Sequence, residues 1–520
     1  MYFNDAVRWA EEAEALRPEL VHRRVFPVRL VRPVPDPAAW QGWRVVPAGE
    51  LREVLHVGQP RSWCCTFDMG EYCVGYIELT FRFRGRIDAP FRFRVKCAES
   101  PYELAADFDA CRVSLGRGWL QEETFVFDAP PPVIRLPRRY AFRYLELAVE
   151  SNSPGYVVTP ESVCCDAVNS AADFRTLPPL SAEYDELDRA VDRIGSVTLA
   201  ACMQECYEDG PKRDRRLWLG DLRIQALADY DRFRNLDLVR RCLLLFAAAA
   251  DDEGRVPGCV YPGEGLPEAG NFVFDYGVLF GDVLLDFLRA GGDAAVVRGL
   301  LPVAERQCEL SLREFERGRF VDRGCHWLFI DWQEGLEKEC AVQGVVIEAL
   351  QRFCRLACEL DCGERAARYL PVIEQLRGAA RESWYDPEAG LFRGGGKSGQ
   401  FSWASQIWMA MAGVLPPSDT AALLRRTLAA GKIVRPGTPF LYNQMVLALE
   451  RAGLRREAHA LTREYWGKMA ALGADAFWEV FLPEEPLRSP YGDPAMNSHC
   501  HAWSTPVYHF RRESSRNGLV

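Results

Sequence analysis

The period at which apolar residues recur changes once along this 520-residue chain, and the change limits the folds it can adopt. Between about residues 24 and 175, apolar and polar residues alternate in short runs such as 77–84 and 91–96. Alternation with a period of two is typical of antiparallel strands with one face in water. Beyond residues 177–179 the spacing becomes helical, and one face carries Leu187, Val191, Ile194, Val197 and Ala201.

The two periods predict two domains. A short amphipathic helix over about residues 4–16 precedes the strands, and Pro-rich breaks such as Pro130-Pro131-Pro132 separate them. We therefore expect an N-terminal antiparallel β-sandwich with a short leading helix over residues 1–177. A large helical domain is expected over residues 178–520.

The helical part contains twelve predicted segments, which is the number that an (α/α)6 toroid requires. They lie near residues 181–206, 217–229, 235–250, 272–290, 294–316, 338–361, 364–383, 401–413, 418–430, 440–452, 454–471 and 497–511. In such a toroid, six outer helices surround six inner ones, and functional groups lie in the loops at one end. An irregular bundle or a solenoid is the alternative, although no fixed-period repeat is visible.

Charge and composition argue against several classes of protein. A formal net charge of −10 is unlike that of a nucleic-acid binder, which presents a basic stripe. The longest apolar run, residues 242–250, is shorter than the roughly 20 residues of a membrane span, and the charged N-terminus does not fit a signal peptide. A cytoplasmic protein with reduced cysteines is therefore predicted. The cysteines lack zinc spacing, so no metal or other cofactor is expected, and the oligomeric state is not predicted.

Charge is concentrated after the first long helix, in the run Asp209-Gly210-Pro211-Lys212-Arg213-Asp214-Arg215-Arg216-Leu217-Trp218-Leu219-Gly220-Asp221. A solvated loop whose ions pair with each other is one explanation. In the other, the carboxylates at 209, 214 and 221 converge on one site. Arginine neighbours would keep some of them ionised, and burial would raise the pKa of another. Hydrolysis of an acetal needs this division into an acid and a base.

Four further segments place an aromatic ring beside an acid or a histidine. They contain Asp275, Asp331-Trp332, Trp478-Glu479 and His501. Each alone has a simple structural explanation, such as a helix cap for Asp331, a surface position for Glu479 or a core position for His501. Together they provide aromatic rings that can pack against the C–H face of a sugar and polar groups that can bind its hydroxyls. Glycosidic cleavage needs one protonated carboxyl and one base, so carbohydrate hydrolysis is the leading hypothesis.

These motifs resemble those of the bacterial α-L-rhamnosidases of glycoside hydrolase family 78. The run at 209–221 is similar to the family pattern, which begins Asp-x-Pro-x-Arg and closes with Trp-x-Gly-Asp. The later segments follow in the family's order, and a run at residues 67–77 resembles its β-sandwich. The resemblance covers most of the chain. It implies an inverting exo-glycosidase that hydrolyses terminal α-L-rhamnosyl residues of small glycosides or oligosaccharides.

The resemblance also implies roles for individual residues. Asp214 stands where the general acid is expected, and Glu479 would be the general base that activates water. Asp209 and Arg213 would hold sugar hydroxyls, and His501 would contact another hydroxyl. Asp221 would complete the acidic cluster. Trp218 and Trp332 would pack against the sugar ring and its C5 methyl. Further candidate substrate contacts are Asp275, Asp331 and Trp478.

Two features depart from the family pattern. Many members read Arg-Asp-Glu-Arg with Glu as the acid, whereas this chain reads Arg213-Asp214-Arg215-Arg216. Either Arg215 takes the position of that Glu, or the shorter register of other members applies and Asp214 is the acid. The chain also lacks the C-terminal β-sandwich common in the family, which favours small substrates over polymers.

Three alternatives stay open at this point. The first is a catalytically weak or non-catalytic sugar-binding homologue, and the second is a glycosidase that acts on a different sugar. The third is a polysaccharide lyase on a similar toroid, which needs a cationic cleft. The carboxylates of the 209–221 run argue against that cleft. In every case the predicted partner is a carbohydrate.

Overall fold

The computed structural model describes residues 2–150, 152–263, 265–396 and 398–513. The chain begins with helix α1 (Tyr2–Ala15) and continues into a β domain that includes the short helix α2 (Pro101–Ala105). The strands of this domain are β1 (Val21–Val25), β2 (Arg29–Pro35), β3 (Trp43–Gly49), β4 (Trp63–Gly85), β5 (Phe91–Ala98), β6 (Glu122–Phe127), β7 (Val133–Val149) and β8 (Tyr156–Asn169).

These eight strands form one continuous antiparallel sheet that folds over an apolar core. The strand order is β1-β8-β4-β7-β5-β6, with β2 beside β4 and β3 beside β2. The pairing of β4 with β7 shifts register after Asp68, where the sheet bends. The rings of Phe81 on β4 and Phe91 on β5 then lie 5.2 Å apart, although these strands are not paired neighbours. The predicted antiparallel β domain is confirmed.

The helical domain follows, as predicted. Its helices are α3 (Glu186–Cys202), α4 (Leu219–Asp231), α5 (Leu236–Ala248), α6 (Phe274–Val278), α7 (Phe280–Arg289), α8 (Ala294–Leu312), α9 (Glu339–Glu359), α10 (Gly363–Ala367), α11 (Leu370–Trp384), α12 (Trp403–Met411), α13 (Pro417–Ala429), α14 (Pro439–Arg451) and α15 (Arg455–Ala471). Short strands in its loops are β9 (Leu217–Trp218), β10 (Cys259–Tyr261), β11 (Glu268–Ala269), β12 (Phe315–Glu316), β13 (Arg319–Phe320), β14 (Tyr385–Asp386) and β15 (Leu391–Phe392).

The helices form two concentric layers of a ring. Helices α4, α7, α9, α12 and α14 follow one another around the inside and are almost fully buried. The outer layer consists of α3, α5, α8, α11, α13 and α15, each of which buries one side. A 3₁₀ turn, Ala502–Ser504, contacts both α4 and α14 and so takes the sixth inner position.

The predicted helix over residues 497–511 is therefore wrong. Apart from two 3₁₀ turns, Pro494–Met496 and Ala502–Ser504, the described chain from 494 to 511 is extended or irregular. Pro506 explains this, because proline has no backbone N–H and disfavours the helical conformation of the residue before it. The segments 272–290 and 364–383 are each divided into two helices.

Helix α1 packs on α5 rather than on the sheet that follows it. Its Trp9, Ala10 and Ala13 are buried there, and the guanidinium of Arg241 donates a hydrogen bond to the carbonyl of Ala13. The domain boundary predicted after residue 177 lies between β8 and α3 and stays a prediction. Within the described ranges, no helix combines the length and apolarity needed to cross a bilayer.

Candidate active site

A cavity of about 390 Å³ opens at the end of the ring where the inner helices begin. Loops of the helical domain and one loop of the β domain form its walls. Eight residues predicted from the sequence line this cavity: Asp209, Arg213, Asp214, Trp218, Asp221, Trp332, Glu479 and His501. The structure thus brings together residues that are up to 292 positions apart in the chain.

Asp209 shapes the loop that presents Asp214. Its two carboxylate oxygens accept hydrogen bonds from the backbone N–H groups of Asp214 (3.1 Å) and Arg216 (3.0 Å). Burial, and then the nearby charge of Asp214, raise the pKa of Asp209 well above its usual value. Asp209 therefore has a structural task beside its predicted contact with a sugar hydroxyl, which stays a prediction.

Arg213 lies between the two carboxylates proposed as acid and base. Its Nη1 donates to Asp214 Oδ1 at 3.1 Å, and its Nη2 donates to Glu479 Oε2 at 2.5 Å. Its Nε donates to the carbonyl of Met496 at 3.1 Å, and the guanidinium stacks 4.0 Å from the ring centre of Tyr491. Because the carboxylates bind different nitrogens of one guanidinium, this group holds them apart from each other.

Glu479 has the properties of a base. Burial acts to raise its pKa, but the charge of Arg213 and the hydrogen bonds from Arg213 and Ser498 together outweigh burial and lower the pKa to about 2. Its Oε1 accepts from the Tyr491 hydroxyl at 2.6 Å, and its Oε2 accepts from the Ser498 backbone N–H at 2.9 Å. The Glu479 side chain is only 2% exposed, whereas that of Asp214 is 18% exposed. Glu479 is thus a fixed, ionised carboxylate, and Asp214 is the more accessible group.

Arg215 does not occupy the site of a catalytic acid. Its side chain turns away from the cavity and donates to the carbonyls of Pro211 (2.8 Å) and Arg139 (2.7 Å). Asp214 lines the cavity instead. The structure thus brings Asp214, and not Arg215, to the cavity, and the role of Asp214 as the acid stays a prediction.

Asp221 and His501 supply polar atoms at the bottom of the cavity. Both are buried, and His501 Nδ1 lies 3.6 Å from Asp221 Oδ1. Among the described residues, neither atom has a hydrogen-bond partner. Burial lowers the pKa of His501 to about 3, so its ring is neutral near pH 7. Buried polar groups are nearly always hydrogen-bonded, so this pair is suited to bind the hydroxyls of a ligand.

Aromatic rings form the remaining walls. Trp218 is placed by the pairing of β9 with β10 and meets Trp327 edge to face at 6.1 Å. Trp332 meets Phe329 at 5.3 Å, and Phe329 stacks on Trp503 at 5.7 Å. The rings of Trp218 and Trp332 lie where the sequence predicts them, and their neighbours extend the wall around the cavity.

Three predicted substrate contacts lie outside the cavity lining. Asp275 binds the backbone N–H groups of Phe329 (2.7 Å) and Ile330 (2.9 Å), and Asp331 binds Gly437 N and Thr438 Oγ1. Both carboxylates thus anchor loops rather than a ligand. Trp478 stacks on Trp40 at 5.0 Å. Neighbouring side chains of an extended segment point in opposite directions, so Trp478 points away from the cavity that Glu479 lines. The structure therefore does not bring these three residues to the cavity with the other eight.

Sequence reasoning missed two parts of the wall. Tyr491, the hydrogen-bond partner of Glu479, lies in a Pro- and Gly-rich loop that carries no recognisable motif. The β domain contributes Leu115, Gly116 and Trp119 from the loop before β6. The one sequence feature that points toward Trp119 is the high tryptophan content of the chain, 14 residues.

Comparison with known protein families agrees with this geometry. Residues 27–167 match a model described as the glycosyl hydrolase family 78 α-rhamnosidase N-terminal domain. Residues 183–513 match a model described as the bacterial α-L-rhamnosidase 6 hairpin glycosidase domain. The chain belongs to glycoside hydrolase family 78. The family resemblance of the sequence motifs is thereby confirmed, and the protein is a glycoside hydrolase.

Solved structures give the same result for this family 78 hydrolase. It is similar to a rhamnosidase from Klebsiella oxytoca with rhamnose bound, with 39% identity, a TM-score of 0.92 and coverage of 96% of this chain and 97% of the other. A family 78 rhamnosidase of Bacillus sp. GL1 has 20% identity, a TM-score of 0.73 and coverage of 89% and 47%. The latter shows the fold alone. A comparison with curated proteins gives no match.

Proposed function

We propose that the protein is an inverting exo-α-L-rhamnosidase in which Asp214 is the general acid and Glu479 the general base. The observation that carries this proposal is the arrangement around Arg213. One guanidinium separates an accessible carboxyl from a buried, ionised one in the wall of a single cavity. Similarity over nearly the full length to a rhamnosidase that has rhamnose bound supports the choice of sugar.

The residues have complementary tasks in this mechanism. Asp214 would give its proton to the glycosidic oxygen as the bond from that oxygen to the anomeric carbon breaks. Glu479 would take a proton from a water molecule whose oxygen forms a new bond to the same carbon from the opposite face. Arg213 keeps Glu479 ionised before the reaction. An inverting pair needs carboxyls about 6.5–9.5 Å apart, to leave room for the water.

The walls suit a 6-deoxy sugar. The unpartnered atoms of Asp221 and His501 would bind hydroxyls, with Arg213 and Asp209 beside them. Trp218, Trp332 and their aromatic neighbours would pack against the C–H face and the C5 methyl of L-rhamnose. An aromatic wall recognises a methyl group without a hydrogen bond.

The proposed substrate is a small glycoside or the end of an oligosaccharide. A cavity of about 390 Å³ is at the lower end of the range for small-molecule sites, about 300–1,000 Å³. Such a volume suits one terminal sugar and part of its leaving group. Both proton transfers use side chains of this chain, so no cofactor is proposed. The protein is proposed to act in the cytoplasm, and the acidic net charge argues against nucleic acid as a partner.

A panel of nitrophenyl glycosides tests this proposal directly. We expect turnover of the α-L-rhamnoside, with β-L-rhamnose as the first product in proton NMR spectra. An α-anomer formed first would contradict inversion, and preferred turnover of another glycoside would contradict the choice of sugar. Thermal stabilisation by L-rhamnose without turnover of any glycoside would instead identify a non-catalytic sugar-binding homologue.

A further inference from the structure

A buried ion cluster joins the β domain to the catalytic loop. Lys212 directly precedes Arg213 and is 0% exposed, and its Nζ lies 2.8 Å from Glu103 Oε1 and 3.4 Å from Glu99 Oε2. It also donates to the carbonyls of Ala495 (2.8 Å) and Asn497 (3.1 Å). A buried ammonium requires such a set of partners, because an unpaired charge in the interior strongly destabilises the fold.

The carboxylates of this cluster are held rigidly by the β domain. Glu99 follows strand β5, and Glu103 lies in helix α2. Ser100 caps that helix through the Glu103 N–H, and Glu103 Oε2 accepts the Glu99 N–H at 2.7 Å. The Tyr72 hydroxyl donates to Glu99 Oε1 at 2.5 Å. The position of Lys212 is thus set in part by carboxylates that lie in another domain.

The same cluster fixes residues 495–499, which bind both Arg213 and Glu479. Between the two carbonyls bound by Lys212 lies Met496, whose own carbonyl accepts from Arg213 Nε. Two residues further on, Ser498 donates its N–H to Glu479 and its hydroxyl to the carbonyl of Arg213 at 3.0 Å. Glu99 Oε2 accepts the next N–H, that of His499, at 2.8 Å.

We propose that Glu103 and Glu99 are positioning residues for hydrolysis. Through Lys212 and residues 495–499, they set the placement of the Arg213 guanidinium against Glu479. The β domain is on this view a part of the catalytic apparatus, not only a wall of the cavity. A displacement of about 1 Å at a reacting group can cost a hundredfold in rate.

The test compares Glu103→Gln and Lys212→Met with the wild type, and Glu348→Gln serves as a matched control. Glu348 is also buried and paired with an arginine, Arg451, but it lies outside the cavity. We expect kcat on an aryl α-L-rhamnoside to fall about 10- to 100-fold in the first two variants, and by more than KM changes. The control should lose stability and keep its kcat.

A pH profile separates positioning from general damage. The titratable groups that interact with Glu479 are Arg213, Tyr491, His499, His501 and Asp221. If Arg213 moves away in Glu103→Gln, the pKa of Glu479 rises, and the acid limb of the kcat/KM profile moves to higher pH. Wild-type kcat and an unchanged acid limb, at a stability loss equal to that of the control, would overturn the inference.

Two further comparisons cover a variant that does not fold and a wild type that does not hydrolyse the rhamnoside. If Glu103→Gln does not fold, Glu103→Asp retains the charge with a shorter reach, and an unchanged kcat in that variant would overturn the inference equally. The choice of substrate rests on the proposed function. If the wild type does not hydrolyse the rhamnoside, the proposed function fails. The variants are then compared on whichever glycoside of the panel the wild type hydrolyses.

Discussion

At the scale of single residues, Arg213 contacts two carboxylates that differ in burial. The side chain of Glu479 is buried, whereas that of Asp214 is partly exposed. A buried carboxylate stays ionised only when a fixed positive charge compensates the loss of water. The proposed division of labour between acid and base rests on this difference in burial on either side of one guanidinium.

The first prediction concerns these two carboxyls. Asp214→Asn removes the proton donor and Glu479→Gln removes the proton acceptor, so each variant should lose about 10²–10⁴-fold in kcat. Hydrolysis of an aryl α-L-rhamnoside measures this loss. Glu348→Gln, a buried carboxylate away from the cavity, should keep the wild-type rate. Full activity of either site variant would refute its assigned role.

The second prediction is a pH dependence of stability. The folded-state pKa of Glu479, about 2, lies below its usual 4.5, so its contribution is complete above pH 4.5 and is lost as the pH falls toward 2. Relative to Glu479→Gln, the wild-type free energy of unfolding should fall by about 1 kcal/mol per pH unit below 4.5. Urea unfolding at several pH values measures this difference. A difference that is constant with pH would contradict it.

The sequence predicts the part of the site that is contiguous in the chain. Asp209, Arg213, Asp214, Trp218 and Asp221 belong to one run of 13 residues, and the concentration of charge in that run indicates a common site. Tyr491 and Trp119 could not be predicted in this way, because only tertiary contacts bring them to the cavity. The places of Asp275 and Asp331 outside the cavity could not be predicted for a related reason: an acid beside an aromatic residue serves equally well as a loop anchor.

At the scale of elements, the sixth inner position of the ring is unusual because it has no α-helix. Side chains satisfy the backbone of the 3₁₀ turn there instead. Trp466 Nε1 donates to the Ser504 carbonyl, and Asn443 Nδ2 on α14 donates to the carbonyls of Trp503 (2.8 Å) and Thr505 (2.9 Å). The spacing of apolar residues indicates which segments are buried. It does not distinguish a buried helix from a buried turn whose backbone is hydrogen-bonded by side chains.

The third prediction tests this support. Asn443→Ala leaves two buried carbonyls without their donor, so it should cost about 1–3 kcal/mol of stability and lower kcat, because the turn follows His501. Gln343→Ala is the matched control. Gln343 is equally buried and also bridges two carbonyls, those of Gly318 and Leu376, away from the cavity. Thermal unfolding and kcat of both variants measure the effect. Equal losses of kcat would contradict a link between the turn and catalysis.

At the scale of the whole molecule, the two domains are joined by charge as well as by apolar contacts. Arg139 of β7 binds both oxygens of Glu208, at 2.7 and 2.6 Å, directly beside Asp209. Arg143 of the same strand binds Asp475 at 2.7 and 2.6 Å and also Asp68. The change of period in the sequence predicts both domains. It does not predict these ion pairs, because their members lie far apart in the chain.

The fourth prediction follows from this coupling. Arg143→Ala leaves the fully buried Asp68 and its neighbour Asp475 with fewer partners, so it should cost about 3 kcal/mol, and the protein should still unfold in one transition. Differential scanning calorimetry measures both quantities. Arg92→Ala, which removes an exposed pair with Glu150, should cost less than about 1 kcal/mol. Two separate transitions in the wild type, or equal losses in the two variants, would contradict the coupling.

The closure of the ring by the turn at Ala502–Ser504 has a consequence for the order of folding. The N–H of Ala502 donates to the carbonyl of Asp209 at 2.6 Å, and Arg213 meets Glu479 across 266 residues of chain. Contacts so distant in sequence form late, because the entropy of closing the loop must be lost first. A chain that already has all its helices, but whose ring is still open, has no cavity in which hydrolysis can take place. We therefore expect catalytic competence to appear late in folding, when the two ends of the helical domain meet.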